Sequence, residues 1–225
     1  MRRIVITGGP SSEPIDGVRF ITNQSTGELA VLVAQQFQKA GHEVELLLGR
    51  RSIFRTSSAR FFDTNEDLER LLSEVVNREE VRAVLHAAAL ADFAVANIVV
   101  EGQRQGAAKI SSAATSIQLR LVPKAKVIAR LRQLFPAAWI IGWKFELDGS
   151  PADVVSKGIQ QIEKYATNGC IVNGSAFGPG FGYCNSTGLV RSVRNKEELA
   201  DLLLQVVQEA GNQRRRFSKF EGSDW

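Results

Sequence analysis

The run RFITNQSTGE, residues 19–28, brings a cation, an amide and a helix-start pattern together. Arg19 carries a planar guanidinium that can bind a carboxylate or a phosphate through two parallel hydrogen bonds. Asn23 has a side-chain amide that can donate to an oxygen on which negative charge develops. Ser25 and Glu28 have the S-x-x-E spacing of a capping box, which predicts a helix that begins at the next residue and presents free N–H groups to an anion. These residues predict a site for a carboxylate or a phosphate.

The same run has an equally weighted structural interpretation, in which Arg19 pairs with Asp16 and Asn23 only caps a turn. The connection that contains these residues extends from Gly8 to Gln24, seventeen residues where about 2–6 are usual between a strand and a helix. Long connections in compact domains are functional or disordered. Four apolar residues favour packing over disorder here: Ile15, Val18, Phe20 and Ile21.

Further candidates follow the predicted strands, because ligands of open parallel sheets bind beyond the carboxyl ends of the strands. Gly8 and Gly9 end the first strand without the G-x-G-x-x-G pattern of a dinucleotide site. The segment HAAALAD, residues 86–92, has small side chains that let a ligand approach the backbone, and Asp92 could bind a ribose hydroxyl. The alternative is a tightly packed junction with His86 as a structural histidine.

Several isolated side chains could contact a nucleotide. Lys109 follows a Gly- and Gln-rich stretch and could reach a triphosphate as a point charge, although a solvated surface lysine fits the same pattern. Trp143 lies at a predicted strand end and could stack on a base or pack in the core. Lys157 and Lys164 are seven residues apart on one predicted helix, and such pairs usually form a solvated stripe.

The sequence has no Ser-His-Asp or Cys-His arrangement, no P-loop and no metal-ligand spacing, so covalent catalysis by a side chain is not indicated. The remaining types of catalysis are the positioning of substrates and the stabilisation of charge, as in nucleotidyl or phosphoryl transfer. An NADP-dependent reductase of the short-chain type would need a glycine fingerprint and Tyr-x-x-x-Lys, and neither Tyr165 nor Tyr183 has that lysine. Cys170 and Cys184 lack disulfide or zinc spacing and are predicted to be reduced, packed thiols.

The elements that must position these residues alternate strands with helices of ten to fifteen residues. This alternation predicts an α/β fold with a mostly parallel sheet, helices on both faces and a late antiparallel hairpin at FGYCNSTGLVRSV. No internal repeat or linker is visible, so residues 1–210 are predicted to form a single nucleotide-binding domain.

The composition of the 225 residues, 44% hydrophobic and 23% charged, is that of a globular protein. No apolar run approaches the ~18 residues of a membrane span, and the N-terminus lacks a signal peptide, which predicts a cytoplasmic protein. Residues 211–225 hold four basic and two acidic residues without apolar periodicity and are predicted to be a basic, disordered tail. Half of the net charge of +4 lies there, which disfavours a nucleic-acid-binding module.

Taken together, the motifs resemble the phosphopantothenoylcysteine synthetase (phosphopantothenate–cysteine ligase) family in its stand-alone, monofunctional bacterial form. TGGPSSEPIDGVRFITNQSTGELA is similar to the family's first loop, where a Thr-Gly-rich turn, E-P-[IL]-D and R-[FY]-I-[ST]-N-x-S-[ST]-G follow in order. HAAALADF, AAKISS, IIGWKFELDG and GCIVNGSA are similar to later elements, again in order. The resemblance covers about residues 3–209, and its first-loop motif is highly specific.

The resemblance implies a Rossmann-like fold and a ligase that joins 4′-phosphopantothenate to L-cysteine in coenzyme A biosynthesis. The carboxylate would attack the α-phosphate of CTP or ATP in the presence of Mg²⁺, and the cysteine amine would then displace the nucleotide. The resemblance also implies a homodimer in which the partner subunit helps to close the site. The alternative is a divergent paralogue that binds a nucleotide or an acyl-phosphate-like ligand without ligating.

By resemblance, Asn23 holds the carbonyl of the acyl-nucleotide, and Lys109 binds the phosphates while the acyl-nucleotide reacts with the amine. Arg19 belongs to the same acid-activating loop, and no residue is assigned as a metal ligand. The resemblance assigns the nucleotide contacts to Gly8, Gly9, His86, Ala87, Ala88, Asp92, Lys124, Ala125, Lys126, Val127, Trp143 and Lys164.

Three departures from the family pattern lie on the nucleotide side. The proline-containing [NT]-P-[DK]-I element is Lys-Ala-Lys-Val at 124–127. The lysine expected four residues before Lys164 is Gln160, with Lys157 as a substitute one turn earlier. The A-N-D element is Val-Asn-Gly at 172–174. The resemblance therefore leaves the choice between CTP and ATP open.

Overall fold

The computed structural model describes residues 3–106 and 108–220, whose strands form three sheets. The strands are β1 (Arg3–Gly8), β2 (Ser12–Pro14), β3 (Phe20–Thr22), β4 (Glu43–Gly49), β5 (Arg60–Phe62), β6 (Val81–His86), β7 (Phe93–Val100), β8 (Gln103–Gln105), β9 (Ile117–Pro123), β10 (Trp139–Phe145), β11 (Gly169–Asn173), β12 (Phe181–Asn185) and β13 (Gly188–Val193). The helices are α1 (Glu28–Lys39), α2 (Asn65–Ser73), α3 (Ile128–Leu134), α4 (Pro151–Tyr165) and α5 (Lys196–Phe220), with a 3₁₀ turn at Arg78–Glu80.

The main sheet has eight strands in the order β13-β12-β11-β10-β6-β1-β4-β5. Its strands pair in parallel from β5 to β11, and β12 pairs antiparallel with both β11 and β13. The predicted α/β fold with a mostly parallel sheet and a late hairpin is therefore confirmed. The chain proceeds from β1 outward to β5 and then returns to β6 on the other side of β1. A crevice is expected at such a reversal, at the carboxyl ends of β1 and β6.

Both faces of the central strands are buried, because side chains of a strand alternate between the faces of its sheet. Ile4 and Ile6 pack against the layer of α1 and α5, whereas Val5 packs against the layer of α2 and α3. α4 covers β11 and β12, where Cys170 and Cys184 are buried free thiols, as predicted. These layers hold the carboxyl ends of the strands at one edge.

Two antiparallel elements were not predicted from the sequence. The first loop contains a hairpin in which Ser12–Pro14 pairs with Phe20–Thr22, so the long connection is ordered by its own backbone hydrogen bonds. A three-stranded sheet, β8-β7-β9, is inserted between β6 and α3. This small sheet has its own core of Ile98, Val100 and Ile110.

The start of α1 differs from the prediction. The helix begins at Glu28, and its N-cap is Gly27 with a left-handed φ of 77° and no side-chain cap, so the predicted capping box of Ser25 is wrong. A Cβ atom at Gly27 would lie 2.6 Å from Ser52 Oγ. The chain therefore enters the helix through a glycine, because a side chain at this position would be both strained and obstructed.

α5 continues through Phe220, whereas residues 211–225 were predicted to be a disordered tail. Gln, Arg and Lys are good helix formers, and no glycine or proline follows Gly211 before the end of the helix. Residues 221–225 lie outside the described part of the chain. No helix among the described residues is long and apolar enough to cross a membrane.

Candidate active site

The region beyond the carboxyl ends of β1 and β6, where a crevice is expected and which is called the crevice below, is bordered by backbone pairing that continues beyond both strands. Pro10 and Ala89 form a parallel bridge. The N–H of Ala89 donates to the oxygen of Gly9 over 2.9 Å, and the N–H of Ser11 donates to the oxygen of Ala89 over 3.1 Å. The first loop is therefore attached directly to the segment that follows β6, as the predicted site at the strand ends requires.

Gly8 and Gly9 allow close packing beneath this crevice. A Cβ atom at Gly8 would lie 2.1 Å from the Cβ of Ala30, and one at Gly9 would lie 2.0 Å from Ser52 Oγ. Gly9 also has a left-handed φ of 71°. Both glycines are explained by the approach of α1 and of the loop after β4, and their predicted contact with a nucleotide stays a prediction.

His86 is a structural histidine beneath the crevice. It is 7% exposed, and its Nδ1 lies 2.8 Å from Thr7 Oγ1. The same hydroxyl accepts the N–H of Ala88 at 3.4 Å, so its own proton can go to Nδ1, which places the imidazole proton on Nε2. Burial lowers the pKa of His86 to about 4, and the ring is neutral near pH 7. Ala87 donates its N–H to the oxygen of Thr7, so these contacts order the strand end.

Asn23 lies at the mouth of the crevice. Its Nδ2 donates to the main-chain oxygen of Leu90 over 2.8 Å, and the residue is exposed. One amide proton and the side-chain oxygen remain without a partner among the described residues. The side-chain amide of Asn23 is therefore oriented by Leu90 and keeps one N–H that can donate to a ligand.

Arg19 is already bound within the first loop. Its Nη1 lies 2.5 Å from Asp16 Oδ2 and donates to the oxygen of Ile110 over 3.2 Å, while its side chain is 37% exposed. The pairing with Asp16 that the sequence allowed is thus present. Nε and Nη2 have no partner among the described residues and can still contact a ligand.

Asp16 lies beside Arg19, and the sequence indicated it only as a structural partner of that arginine. Its carboxylate is fully buried and accepts the backbone N–H groups of Ile110, Val18 and Arg19. The bond from Ile110 comes first among the causes that lower the pKa of Asp16 to about 2, against the opposing effect of burial. The E-P-I-D element, followed three residues later by an arginine, was the available signal in the sequence.

Lys109 is exposed and directly precedes Ile110. Its ammonium makes no hydrogen bond or ion pair within residues 3–106 and 108–220, so it is available to an anion. The Lys109 segment is attached at Arg19, whereas Asn23 is attached to Leu90. Arg19 and Asn23 flank opposite ends of β3, about 13 Å apart at the usual rise per residue. A ligand that contacts both ends of β3 must be extended.

Lys124 forms ion pairs with two carboxylates. Its Nζ lies 2.8 Å from Glu13 Oε2 and 2.9 Å from Glu66 Oε1, and the side chains of Lys124 and Glu13 are each 10% exposed. Partial burial disfavours the charged form, but the bonds to Glu13 and Glu66 prevail and raise the pKa of Lys124. The ammonium of Lys124, a residue assigned to the nucleotide by resemblance, is therefore bound to one buried and one exposed carboxylate.

Asp92 and Lys126 form an ion pair in which both side chains are about half exposed. The N–H of Lys124 also donates to the oxygen of Asp92 over 2.9 Å. Two segments that the resemblance assigned to the nucleotide are therefore adjacent. Within the second segment, Ala125 is exposed and Val127 is buried in the core at the start of α3.

Trp143 lies on the face of β10 that meets the layer of α1 and α5, where it packs against the main core. Its indole N–H is buried without a hydrogen-bond partner in the described chain. On the opposite face, a Cβ atom at Gly142 would lie 2.4 Å from Gln161 Nε2. The structure therefore favours the core interpretation of Trp143 over stacking on a base.

Lys164 lies in the last turn of α4, next to the ring of Tyr165 at 5.4 Å. α4 starts at the carboxyl edge of the sheet and spans about 22 Å, so this turn lies at the opposite edge. Lys157, the substitute considered from the sequence, lies 2.5 Å from Glu146 Oε2, and Lys144 lies 3.0 Å from Glu146 Oε1. The bond to Lys157, ahead of that to Lys144, lowers the pKa of Glu146. This triad carries a net charge of +1 at the end of β10.

Gly174 stands where the family pattern at residues 172–174 has an acid, and the backbone around it explains the glycine. Gly174 has a φ of 112°, and a Cβ atom there would lie 2.1 Å from the oxygen of Glu146. No side chain fits at this position without movement of the chain. The neighbouring Asn173 has a buried side-chain oxygen without a described hydrogen-bond partner.

Comparisons with known proteins extend along most of the chain. The family model of the DNA/pantothenate metabolism flavoprotein C-terminal domain matches residues 1–209. The coenzyme A biosynthesis bifunctional protein CoaBC of Thermococcus kodakarensis is 32% identical over 174 residues, which make up 76% of this chain and 41% of that protein. The CoaBC of Methanocaldococcus jannaschii is 28% identical over 173 residues, with coverages of 76% and 40%. The chain thus spans about two-fifths of the length of these relatives.

Solved structures share the fold. The DNA/pantothenate metabolism flavoprotein from Streptococcus pneumoniae has a TM-score of 0.81 at 25% identity, with 93% of this chain and 99% of that chain covered. A Cab2 variant in complex with phosphopantothenate-cysteine has a TM-score of 0.69 at 17% identity, with coverages of 95% and 89%. The Rossmann-like α/β architecture expected from the family resemblance is confirmed. At this low identity the Cab2 comparison concerns the fold alone.

Proposed function

The chain belongs to the family of the DNA/pantothenate metabolism flavoprotein C-terminal domain, and from this membership we propose that it ligates 4′-phosphopantothenate to L-cysteine. Relatives with the same domain are named for coenzyme A biosynthesis, and one structure of the same fold holds phosphopantothenate-cysteine. The names of the CoaBC relatives support a role in coenzyme A biosynthesis, and the first-loop motif supports the choice of the two substrates. The position of Asn23 at the mouth of the β1–β6 crevice carries the proposal.

The proposed reaction has two displacements. The carboxylate of 4′-phosphopantothenate attacks the α-phosphate of a nucleoside triphosphate, and pyrophosphate leaves. The cysteine amine then attacks the acyl carbon, its proton is lost to solvent or a base, and the nucleoside monophosphate leaves. Asn23 is oriented by Leu90 and donates its second amide proton to the acyl oxygen as negative charge develops there. An amide suits this role because it donates without competing as a nucleophile.

Positive charge at the same edge supports binding of the triphosphate. Lys109 has no partner within the described chain, and the Lys144–Glu146–Lys157 triad retains one positive charge. CTP or ATP is proposed as the co-substrate. Mg²⁺ is proposed to arrive with the triphosphate, whose oxygens are its usual ligands.

A second candidate is a paralogue that binds a nucleotide or an acyl-phosphate-like ligand and does not ligate. The observation that favours it is the pairing of Lys124 with Glu13 and Glu66, together with the packing of the partly buried Trp143 against the main core. The resemblance assigned both side chains to the nucleotide, whereas in the structure Lys124 forms ion pairs and Trp143 packs against other side chains. The acid-activating loop, by contrast, retains an exposed Asn23.

The homodimer remains part of the proposal, as does a cytoplasmic location. The three-stranded sheet exposes apolar side chains that a second subunit could cover. Phe93 is 50%, Ile117 43% and Leu121 42% exposed. Sedimentation at several protein concentrations tests the dimer.

One experiment separates the two candidate functions. The purified protein is incubated with 4′-phosphopantothenate, Mg²⁺ and either CTP or ATP, with and without cysteine, and pyrophosphate and the ligated product are measured. Pyrophosphate release that depends on 4′-phosphopantothenate, with product only when cysteine is present, is expected for the ligase. Nucleotide binding without pyrophosphate release would contradict the ligase and support the paralogue.

A further inference from the structure

The two carboxylate oxygens of Asp16 have different tasks. Oδ1 accepts the N–H groups of Val18 at 2.9 Å and Arg19 at 2.7 Å, which closes a local turn between β2 and β3. Oδ2 accepts the N–H of Ile110 at 3.0 Å and binds Arg19 Nη1 at 2.5 Å. One oxygen therefore shapes the first loop, and the other bonds to a residue 94 positions later.

Ile110 is held at both of its main-chain groups. Its N–H donates to Asp16 Oδ2, and its oxygen accepts from Arg19 Nη1 at 3.2 Å. Its side chain is 2% exposed and packs with Ile98 and Val100. Residues 108, 109 and 111 beside it are exposed, so Ile110 is the anchor of this stretch.

We propose that Asp16 is a positioning residue that holds Lys109, through its neighbour Ile110, over the first loop of the active site. The inference rests on the proposed ligase function, because it assigns Lys109 to the phosphates of the acyl-nucleotide. An exposed lysine on an unanchored loop would sample many positions, whereas an anchored backbone restricts its ammonium to a small region. Asp16 acts through Ile110 and does not touch the reacting atoms.

Asp16→Asn separates the two tasks of the carboxylate. The remaining oxygen can accept from Val18 and Arg19 and keep the turn, because asparagine forms the same type of turn as aspartate. The new amide group then faces the N–H of Ile110 and the guanidinium of Arg19, and all three groups are donors. The variant therefore loses the long-range bond to Ile110 and the ion pair with Arg19, while the local turn is kept.

The matched control is Glu198→Gln, the same exchange of a carboxylate for an amide. Glu198 Oε2 accepts the N–H of Arg194 at 2.9 Å, and Oε1 binds the guanidinium of Arg194. Its partners thus include a backbone N–H and an arginine, as for Asp16, and Asn195 Nδ2 donates to Oε1 at 3.4 Å. Glu198 lies in the first turn of α5, next to the edge strand β13 and away from the crevice.

The first readout is amide hydrogen exchange resolved by residue in nuclear magnetic resonance spectra, which does not depend on activity. In the wild type, the amide of Ile110 is expected to exchange more slowly than those of Lys109 and Ser111, by about 10-fold or more. Asp16→Asn should remove this difference, and Glu198→Gln should not. If Asp16→Asn fails to fold, the exchange rates of the wild type still test the proposal. Fast exchange of the Ile110 amide in the wild type would contradict its anchoring by Asp16.

The second readout is a double-mutant cycle on product formation, with thermal unfolding as a check on folding. Asp16→Asn is expected to slow the cysteine-dependent step by about 10- to 100-fold. Adding it to Lys109→Ala should slow that step no further, since both changes remove the same positioned ammonium. Fully additive losses would overturn the proposal. A wild type that makes no product would refute the ligase function, whereas the exchange experiment would still test the anchor.

Discussion

Asn23 donates its side-chain amide to the main-chain oxygen of Leu90 over 2.8 Å. The two residues are 67 positions apart, and this bond fixes the end of the first loop to the segment after β6. The amide oxygen must point away from Leu90, since two acceptors would repel each other. An oriented amide donor therefore lies beside the carboxyl ends of β1 and β6.

The first prediction is that Asn23→Asp abolishes product formation and leaves the fold intact. A carboxylate at this position would face the oxygen of Leu90 and could no longer donate to the acyl oxygen. Loss of one such donor costs about 10²- to 10³-fold in rate in comparable sites. Product formation and thermal unfolding are measured together. Asn185→Asp, in the distant β12–β13 hairpin, is the matched control, and equal activity of the two variants would contradict the assignment.

The second prediction is that Lys109→Ala blocks the reaction of the acyl-nucleotide with cysteine. Lys109 is exposed and has no partner in the described chain, so its loss should leave the unfolding free energy within about 0.5 kcal/mol of the wild type. Quench-flow with radiolabelled nucleotide should show the acyl-nucleotide accumulating. Lys39→Ala, in the last turn of α1, tests the same loss of charge elsewhere. Full turnover by Lys109→Ala would remove Lys109 from the mechanism.

The third prediction concerns the dependence of stability on pH. Burial lowers the pKa of His86 to about 4, below the ordinary value of 6.5, so the unfolded state binds more protons between those pH values. His86 should therefore destabilise the fold progressively as pH falls from 6.5 to 4, by on the order of 3 kcal/mol in total. His86→Asn keeps an acceptor near Thr7 and does not titrate there. Urea unfolding at several pH values compares the two proteins, and parallel curves would refute the assignment.

The fourth prediction is that Lys124→Met destabilises the protein. The substitution leaves Glu13, whose side chain is 10% exposed, and Glu66 without their cation. Removal of one partner from a buried ion pair costs on the order of 3 kcal/mol. Lys126→Met breaks the half-exposed pair with Asp92 and should cost less than about 1 kcal/mol. Equal unfolding free energies for the two variants would show that Lys124 is not a structural cation.

The fifth prediction is that neither cysteine reacts with a thiol reagent in the folded protein. Cys170 and Cys184 are both buried, and burial raises the pKa of Cys184 to about 11 and that of Cys170 further. The thiolate is the reactive form, so both groups should be inert near neutral pH. Titration of thiols before and after denaturation checks this. Labelling of the native protein at the denatured rate would contradict the described burial.

The architecture could be predicted because its signals are local. Strands such as β1 and β11 are short apolar runs, and helices such as α4 have apolar residues at helical spacing, so each is specified within about fifteen residues. The two antiparallel additions, the β2–β3 hairpin and the β8-β7-β9 sheet, were not predicted. β2 and β3 are three residues long, too short for alternation to be detected, and β9 is mostly exposed on both faces.

The candidate site was only partly predictable, because the chemistry of a side chain depends on what approaches it. The first-loop motif predicted that Asn23 and Arg19 contribute to one site, since they lie within five residues. Only the tertiary structure decided that Arg19 binds Asp16 and Ile110, that Lys124 meets a carboxylate 111 positions away, and that Lys164 lies at the far edge of the sheet. Periodicity and motif order are local properties of the sequence. Ion pairs and anchors between distant segments depend on how the layers pack, which no short window of the sequence contains.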